Sequence, residues 1–500
     1  MNEENTPVII GTGQLVDRDA DVDNFIEPLE MLVRVAKAAA DATGAGHRLL
    51  TQLDAVALVE TVGWHPTNPV NLVAERIGAH TANQYVTGTG GENGTALLNF
   101  MANEIINGRS GLALIAGCNN LKVLMKARSI GRYLTWTRGG EGKAEMIGVD
   151  KPGVNALEEE YGLRQPPDIY PLFENALRAQ LGLSLAEHKD LMGRMFTGFT
   201  EVAAKNPYAW FPVRRSATEL TSVTAENRMI SFPYPKYLNA ILNTEQAAGL
   251  IICSVAQARR LGVPENQWVY WWGGAQSNEK AWWTSERPSF TESPAMKDTH
   301  TSALANAGLD VSEVDHFDLY SCFPVAVEMA CKVLGLEIDD PRGFTVTGGL
   351  PYAGGPASAY TLHSLAEMVR CLIENPGHKG MVTGNGWFLT KHSATILASS
   401  PIDAPRNGLI DDLPSGKMQT TAREVNPEPD GPGIIEAYTV TYGREGNPEW
   451  GIVLGRTKDG SRFLANTPQD VGLLNAFVAN EQIGAAGKLS TVQGKVVFEP

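Results

Sequence analysis

Residues 348–392 read GGLPYAGGPASAYTLHSLAEMVRCLIENPGHKGMVTGNGWFLTKH, and this stretch decides the fold. A glycine-rich loop runs into an amphipathic helix, which is followed by a short apolar strand and a second glycine-rich turn. Glycine lets backbone amides approach a bound group closely, and the first turn of a helix offers unpaired N–H donors to an oxyanion or a phosphate. The pattern is typical of an acyl-transfer or C–C bond-making site.

Composition indicates an ordinary soluble chain. Its 500 residues are 43% hydrophobic and 19% charged, enough for a sizeable core and two to three domains. The N-terminus has no basic, apolar leader, and no window approaches ~20 apolar residues, so we expect a cytoplasmic protein without a membrane span. Its five cysteines form no CxxC pair, which indicates free thiols in a reducing compartment.

The net charge of -15 argues against nucleic acid or an anionic membrane as the main partner. The charge is unevenly spread, because residues 121–240 carry 16 Lys/Arg and 13 Asp/Glu, which gives +3 there and -18 elsewhere. A phosphate-bearing small ligand therefore finds its least repulsive surface in that middle segment.

The order of predicted elements around the opening stretch occurs twice in the chain. Strand, helix, strand, glycine-rich loop, helix and strand follow one another over residues 8–117, and the same order returns from residue 269. Offsets of 262, 261, 264 and 267 residues relate four anchor pairs: Gly11 and Gly273, Asp54 and Asp315, Gly91 and Gly355, and Gly117 and Gly384. We interpret this as an α/β fold of two βαβαβ halves, each with a mostly parallel sheet. Ligands bind at the carboxyl ends of such strands, beside the glycine loops.

The halves differ by an insertion of more than a hundred residues in the first. The predicted domains are an N-terminal half at 1–120 and 247–262, an inserted, mostly helical cap at 121–246, a C-terminal half at 263–410, a Pro/Asp/Gly-rich linker at 411–432, and a small antiparallel barrel-like β-domain at 433–500. An insertion beside a glycine-loop site is a natural binding lid.

Over roughly residues 6–400, the duplicated halves, the inserted cap and the order of motifs resemble the thiolase superfamily. With the additional β-domain, the chain looks most like the thiolase-like proteins of type 1, often labelled acetyl-CoA acetyltransferases. The resemblance implies a duplicated, layered α/β fold and a coenzyme A thioester as ligand, with coenzyme A as part of the substrate and no tightly bound cofactor.

The catalytic motifs of thiolases are absent from the matching positions. The position of the nucleophilic cysteine is Gly91, and the NEAF position reads YSCF at residues 320–323. The GHP position reads GGP at residues 354–356, and residues 381–390 contain no cysteine where the CxG motif belongs. The resemblance therefore implies a thiolase fold without thiolase chemistry.

Other residues near these positions are candidates for chemistry. Tyr320 and Ser321 can donate hydrogen bonds to an enolate or thioester oxygen; the histidines His363 and His392 are candidate bases. Cys322 is the only cysteine near a motif, and Glu92 is a carboxylate beside the missing nucleophile. Core packing, strand ends and a helix N-cap are the alternative interpretations. The predicted substrate-binding residues are Gly91, Asn93, Gly349, Gly355, Gly384 and Asn385. We predict no metal site, because no His/Cys group has ligand spacing.

Two main hypotheses follow. The first is an acyl-CoA enzyme without an acyl-cysteine, performing retro-aldol or retro-Claisen cleavage, hydrolysis or acyl transfer in fatty-acid or steroid metabolism; it resembles the steroid side-chain aldolases, which work with a small β-barrel partner. The second is a non-catalytic acyl-CoA-binding or scaffold protein whose β-domain contacts another protein. A third reading, an active acetyltransferase, needs a thiolate such as Cys322. The chain is a monomer or a homodimer, with the fused domain favouring the monomer.

Overall fold

The computed structural model describes residues 3–402 and 421–500, so the end of the predicted C-terminal half, residues 403–410, and the first ten residues of the predicted linker, residues 411–420, lie outside the described residues. The helices that the structure describes are, in chain order, α1 Pro28–Ala42, α2 Pro69–Ile77, α3 Asn93–Ile106, α4 Leu121–Ser129, α5 Ala156–Glu160, α6 Pro166–Gln180, α7 Leu185–Ala203, α8 Ala217–Thr221, α9 Val255–Leu261, α10 Pro294–Ala307, α11 Pro324–Leu334, α12 Tyr360–Glu374 and α13 Val471–Ala479.

The described strands belong to two sheets. They are β1 Pro7–Val16, β2 Ala55–Leu58, β3 Asn83–Thr87, β4 Leu112–Asn120, β5 Glu145–Ile147, β6 Met229–Ser231, β7 Tyr234–Pro235, β8 Glu245–Ser254, β9 Val269–Asn278, β10 His316–Asp318, β11 Lys379–Gly386, β12 Lys391–Ala398, β13 Gly431–Tyr442, β14 Pro448–Thr457, β15 Arg462–Asn466, β16 Ala486–Val492 and β17 Lys495–Glu499.

Helix boundaries follow local chemistry. The N-cap of α10 is Ser293, whose hydroxyl accepts a hydrogen bond from the Met296 N–H, and Pro294 takes the first helical position. The helix ends at Gly308, which adopts the left-handed conformation with φ of 71° that glycine tolerates without strain. Helix α2 is built in the same way between Asn68 and Gly78.

The larger sheet has ten strands in the order β10-β11-β12-β9-β1-β8-β4-β2-β3-β5. Its two arms mirror each other about the β1–β9 contact, since β1-β8-β4-β2 in one arm corresponds to β9-β12-β11-β10 in the other. This arrangement confirms the duplication. In the register, Gly117 of β4 faces Ala248 of β8, and Gly384 of β11 faces Ser393 of β12.

The prediction of a mostly parallel sheet in each half missed one antiparallel strand per half. The last strand of each half, β8 or β12, lies between the first strand and the β4 or β11 strand, and it runs antiparallel to both neighbours. Parallel pairing is confined to β3, β2, β4 and β5 in the first half and to β10 and β11 in the second. Two buried apolar strands alone do not fix the direction in which they pair.

Helices α3 and α12 pack against each other in the centre, and each contacts strands from both halves. Helices α1 and α2 cover the outer face of the first half, and α10 and α11 pack on the second. Two glycines show how tightly α1 and α10 are seated. A Cβ at Gly11 would lie 2.7 Å from Cγ2 of Thr43, and one at Gly273 would lie 2.9 Å from the backbone nitrogen of Ala307. The anchor glycines of the duplication are therefore sites of close helix–strand approach.

The smaller sheet contains a closed five-stranded barrel, β13-β14-β15-β17-β16, because β14 also pairs with β13. Two short strands of the inserted segment, β6 and β7, extend this sheet through Thr441 of β13 and Ser231. Helix α13, which the sequence analysis did not predict, packs on β14. The barrel is thus joined to the inserted segment through backbone pairing. Across residues 3–402 and 421–500, the helices are too short or too polar to cross a lipid bilayer.

Candidate functional site

A largely apolar cavity of about 310 Å³ lies where the glycine loop before α3 meets the ends of β10 and β11 and the start of α6. The inserted helix α6 forms one side of this cavity. Its lining includes Thr89, Gly90, Gly91, Tyr170, Tyr320, Cys322, Ser358, Asn385, Trp387 and Phe388. Four of the sequence-predicted site residues, Gly91, Tyr320, Cys322 and Asn385, meet at this cavity.

The hydroxyl group of Tyr320 fills the space beside Gly91. A Cβ built on Gly91 would overlap the Tyr320 hydroxyl oxygen and would lie 2.6 Å from both Cζ of Tyr320 and the carbonyl oxygen of Asn385. Burial, together with the neighbouring Cys322, raises the pKa of Tyr320 well above its usual range. The phenol is therefore neutral, and it presents a hydrogen-bond donor at the place where a side chain at position 91 would begin.

Asn385 and Tyr170 form a hydrogen-bonded pair in the cavity wall. The Tyr170 hydroxyl donates to the carbonyl oxygen of Trp387 at 2.9 Å, and Nδ2 of Asn385 donates to the same hydroxyl at 2.9 Å. Because the single phenolic proton goes to Trp387, Tyr170 must accept from the amide, and this fixes which Asn385 atom is nitrogen. Within residues 3–402 and 421–500, Oδ1 of Asn385 is buried without a hydrogen-bond partner, so the site offers an acceptor.

Cys322 lies 4.0 Å from Nδ2 of Asn385, measured at its sulfur. Burial raises the pKa of its thiol to about 12. Since the thiolate is the nucleophilic form, the cysteine stays protonated and unreactive at neutral pH. Cys322 lines the cavity, but its protonated state does not favour covalent catalysis.

Glu60, which follows β2, is an acidic group that the sequence analysis missed. Its Oε2 accepts hydrogen bonds from the hydroxyls of Thr89 and Ser358, each at 3.4 Å, and both of these residues line the cavity. Ser358 also accepts the Gly90 N–H at 3.0 Å. Burial raises the pKa of Glu60 above its usual value, which brings it towards the range of a general base.

Glu92 does not reach the cavity lining. Its Oε1 forms an ion pair of 2.6 Å with Nζ of Lys391, and Lys391 also donates to the carbonyl oxygen of Thr89 at 2.7 Å. Both side chains are buried beneath the glycine loop, and Cβ atoms at Gly90 or Gly386 would collide with them. The geometry assigns Glu92 to loop support, which corrects its prediction as a replacement base.

The other predicted residues support the backbone around the cavity. Nδ2 of Asn93 donates to the carbonyl oxygen of Gly88 at 2.6 Å, and Gly384 lets β11 approach the start of α3. The Ser321 hydroxyl accepts the Leu350 N–H at 3.4 Å, directly after Gly349. Gly355 donates its N–H to the carbonyl oxygen of Ile241 at 2.8 Å. The five predicted residues Asn93, Ser321, Gly349, Gly355 and Gly384 are not among the described lining residues of the cavity.

The two predicted histidines lie elsewhere. Nδ1 of His363 is 2.8 Å from Oε1 of Gln14, and Nε2 of His392 is 3.2 Å from the Ser293 hydroxyl. Burial lowers the pKa of each histidine to about 3. Neither one belongs to the described lining of the cavity. Both are neutral core residues, so the prediction that they act as bases at the site is corrected.

A second cavity has a volume of about 550 Å³. It adjoins the first through consecutive residues, since Val62 lines the first cavity and Gly63 lines the second. Its wall combines cationic and aromatic side chains: Trp64, His65, Arg128, Arg132, Tyr133, Trp136 and Arg138. Arg132 is paired with Asp23. The arginines belong to the positively charged middle segment, where the sequence analysis expects a phosphate-bearing ligand.

Of the two site residues that were not predicted, Glu60 could have been found from the sequence and Tyr170 could not. Glu60 stands 261 positions before Ser321, the offset of the Asp54 anchor, so the duplication places Glu60 at a strand end equivalent to a predicted site. Tyr170 comes from the inserted helix, which has no counterpart in the second half. Only the folded chain brings it to the cavity.

Comparisons with known proteins agree with this architecture. A family model described as the thiolase-like protein type 1 additional C-terminal domain matches residues 412–493. The crystal structure of a monomeric SCP2-thiolase-like protein type 1 from Mycobacterium smegmatis matches with 34% identity and a TM-score of 0.84, covering 100% of both chains.

More distant proteins share less. An Ltp2-ChsH2(DUF35) aldolase matches with 18% identity and a TM-score of 0.59 over 81% of this chain and 100% of that one, which shows the fold alone. An acetyl-CoA acetyltransferase from Schizosaccharomyces pombe is 27% identical over 135 residues. That alignment spans 27% of this chain and 30% of the yeast protein.

Proposed function

The chain belongs to the thiolase-like proteins of type 1, and from this premise we propose that it cleaves a C–C bond of a 3-hydroxyacyl-CoA thioester without forming an acyl-enzyme. The observation that carries the proposal is the Tyr320 hydroxyl, which fills the space beside Gly91. A neutral donor at that place suits the oxygen of a thioester. It cannot itself be acylated as readily as a thiolate.

The proposed reaction is a retro-aldol cleavage. The C3 hydroxyl of the substrate gives its proton to Ser358 Oγ while the serine proton passes to Glu60. The C2–C3 bond then breaks, a carbonyl forms at C3, and the electron pair moves through C2 to the thioester oxygen as an enolate. Tyr320 donates a hydrogen bond to this oxygen, a contribution of ~3 kcal/mol for one well-placed donor. The proton held by Glu60 returns through Ser358 to C2 and gives the shorter thioester.

The two cavities suit the two ends of such a substrate. The 310 Å³ cavity is walled largely by apolar groups such as Phe323 and Leu350, which favour an acyl chain or a ring system from lipid or steroid metabolism. The arginine-lined cavity offers Arg128 and Arg138 for phosphate groups and Trp64 for stacking of a base. The unpaired Oδ1 of Asn385 accepts from a hydroxyl or an amide N–H of the ligand.

The test is incubation of the full chain with 3-hydroxyacyl-CoA and 3-ketoacyl-CoA thioesters of several chain lengths and with steroid thioesters, followed by mass spectrometry of the products. A shortened thioester with its carbonyl co-product is expected from the hydroxy substrates. Tyr320→Phe should lower kcat by ~100- to 1,000-fold. Tyr352→Phe is the matched control, because that hydroxyl is buried, unpaired and outside the described cavity lining. Absence of turnover with every thioester overturns the lyase proposal.

The second candidate is a non-catalytic acyl-CoA binder or scaffold. The protonated thiol of Cys322, whose pKa burial raises to about 12, favours it over an acetyltransferase. Calorimetry with acyl-CoA separates the candidates, since binding without turnover supports the second and turnover supports the first. The barrel already contacts its own inserted segment, where Nδ2 of Asn175 donates to the carbonyl oxygen of Tyr438 at 2.9 Å. A protein partner would have to use another face.

A further inference from the structure

A second polar cluster lies away from the cavity, where four elements meet. Nε2 of His188 on α7 lies 2.9 Å from Oε1 of Glu174 on α6 and 3.2 Å from Oε2 of Glu328 on α11. The hydroxyl of Tyr234 on β7 donates to Oε2 of Glu174. All four residues are at least 96% buried. The thioester reaction proposed above uses none of them.

The hydrogen bonding of this cluster is incomplete within the protein. Nε2 of His188 carries at most one proton, yet two carboxylate oxygens lie within 3.2 Å of it. Oε1 of Glu328 is buried and has no hydrogen-bond partner among the residues that the structure describes. When both buried carboxylates are ionised, one imidazole leaves negative charge that is costly to hold away from water. An additional cation among these oxygens would satisfy them.

We propose that Glu174, His188 and Glu328 bind a divalent transition metal ion such as Zn²⁺. One ligand atom from each residue lies within 4.8 Å of the others, and an imidazole nitrogen with two carboxylates is a donor set that zinc accepts. The imidazole favours such an ion over Mg²⁺ or Ca²⁺, which prefer oxygen ligands alone. Tyr234 is an outer-shell residue that orients Glu174 through its hydrogen bond.

The cluster borders a cavity at its histidine. His188 lines a cavity of about 330 Å³, together with Asn175 and Met192 on the same helices and Phe232 and Pro233 beside β7. Glu174 and Glu328 are not among the described lining residues of this cavity. Ligand spacing in the sequence does not reveal this cluster, because His188 and Glu328 are 140 residues apart.

The metal would fasten the inserted segment to the second half. Helices α6 and α7 and strand β7 belong to the insertion, whereas α11 follows the Tyr320–Cys322 strand end. Glu174 stands one helical turn after Tyr170, the inserted residue that reaches Asn385 at the cavity. Binding of the ion thereby fixes the helix that carries Tyr170. This role holds whichever reaction takes place in the cavity.

The test uses the full-length protein, purified without a histidine tag, stripped with EDTA and titrated with Zn²⁺ in a calorimeter, with Mg²⁺ as the comparison ion. We expect about one Zn²⁺ per chain and a higher melting temperature with zinc than without it. His188→Ala should weaken zinc binding by more than ~100-fold, since loss of an outer-shell partner alone costs 10- to 100-fold. His300→Ala, which removes an equally buried histidine outside the cluster, should leave the affinity unchanged.

Two further measurements keep the result unambiguous. Glu328→Gln preserves side-chain size, so a folded variant with weakened zinc binding supports the site even if His188→Ala is unstable. The near-ultraviolet spectrum of the Co²⁺-loaded protein should lack a sulfur-to-cobalt charge-transfer band, because the proposed ligands are nitrogen and oxygen and the cysteines are not involved. Zinc binding that these variants do not weaken, a cobalt–sulfur spectrum, or no stoichiometric binding would overturn the proposal.

Discussion

The two halves of the duplication hold their glycine loops with the same contact made by different chemistry. Lys391 and Gln246 occupy equivalent places, each two residues before the residue that faces the anchor glycine of β11 or β4. Nζ of Lys391 donates to the carbonyl oxygen of Thr89 at 2.7 Å, and Nε2 of Gln246 donates to that of Ala353 at 2.9 Å. The offset of 264 residues between the loops makes Thr89 and Ala353 equivalent as well.

Each contact crosses from one half to the other. Strand β12 of the second half supports the first loop, and β8 of the first half supports the second loop. The charged version adds Glu92 as a buried partner of Lys391, whereas the neutral version leaves Oε1 of Gln246 unpaired. Both halves thus keep a side-chain donor to the carbonyl oxygen of the glycine loop. The buried ion pair between Lys391 and Glu92 is found only at the first of these two loops, which lines the cavity at Gly90 and Gly91.

Replacing the charged contact should have the largest effect. Lys391→Met leaves Glu92 buried without its cation, and we expect a loss of ~3–5 kcal/mol in unfolding free energy, measured by urea denaturation. Adding Glu92→Gln should restore most of this loss, because the uncompensated charge is then gone. A single variant as stable as the parent would show that the ion pair adds nothing to the shared contact.

The loop glycines provide the next comparison. Gly91→Ala should cost ~1–3 kcal/mol, because the new methyl group overlaps the Tyr320 hydroxyl. Gly355→Ala, whose nearest atom would be the Ile241 carbonyl oxygen at 3.2 Å, should cost less. Combining Gly91→Ala with Tyr320→Ala tests the cause, since the two changes should be strongly non-additive. Simple additivity in this double-mutant cycle would count against the overlap.

The neutral contact should be worth less than the charged one. Gln246→Met removes its hydrogen bond at similar side-chain volume, and we expect a loss of ~1 kcal/mol in urea denaturation. The loss is small because the carbonyl oxygen of Ala353 also accepts the Trp210 N–H at 2.9 Å, so it stays satisfied. A loss as large as that of Lys391→Met would mean that charge is not what separates the halves.

The smallest expected effect is on the pH dependence of stability at one pair of equivalent positions. Glu60 in the first half titrates, whereas its equivalent in the second half, Ser321, does not. Burial raises the folded-state pKa of Glu60, so its contribution to stability is complete below its ordinary value of 4.5 and is lost as pH rises through the folded-state value. Between pH 4 and pH 8, the melting temperature of Glu60→Gln should therefore fall less than that of the parent. Parallel curves would assign the buried carboxyl no such role.

The repeated anchors were enough to predict the duplicated fold. A helix packs too closely on the strand at Gly11 and at Gly273 to leave space for a Cβ atom, so both halves keep a glycine there. The antiparallel direction of β8 and β12 could not be predicted from the sequence. A buried apolar run such as residues 247–254 has the same pattern in either orientation, and the position of β8 between β1 and β4 depends on tertiary packing.

The site was predictable where it lies on the repeated framework. Gly91, Tyr320, Cys322 and Asn385 follow from the motif positions, although the roles assigned to them remain predictions. The predicted positions of His363 and His392 were wrong because the face of a helix or the register of a strand decides which side a residue faces. A shift of one residue moves a side chain from the cavity to the core. Tyr170 lay beyond reach because the inserted segment has no repeat against which to align it.

The crossed contacts at Lys391 and Gln246 also bear on how the chain assembles. Neither half supplies the residue that holds its own glycine loop, so a fragment ending after α9 and a fragment beginning at β9 would each lack one support. The two pieces would complete each other only when both are present, as in a split reporter. The turn between Leu261 and Val269 is therefore a natural place to divide the polypeptide into complementing fragments.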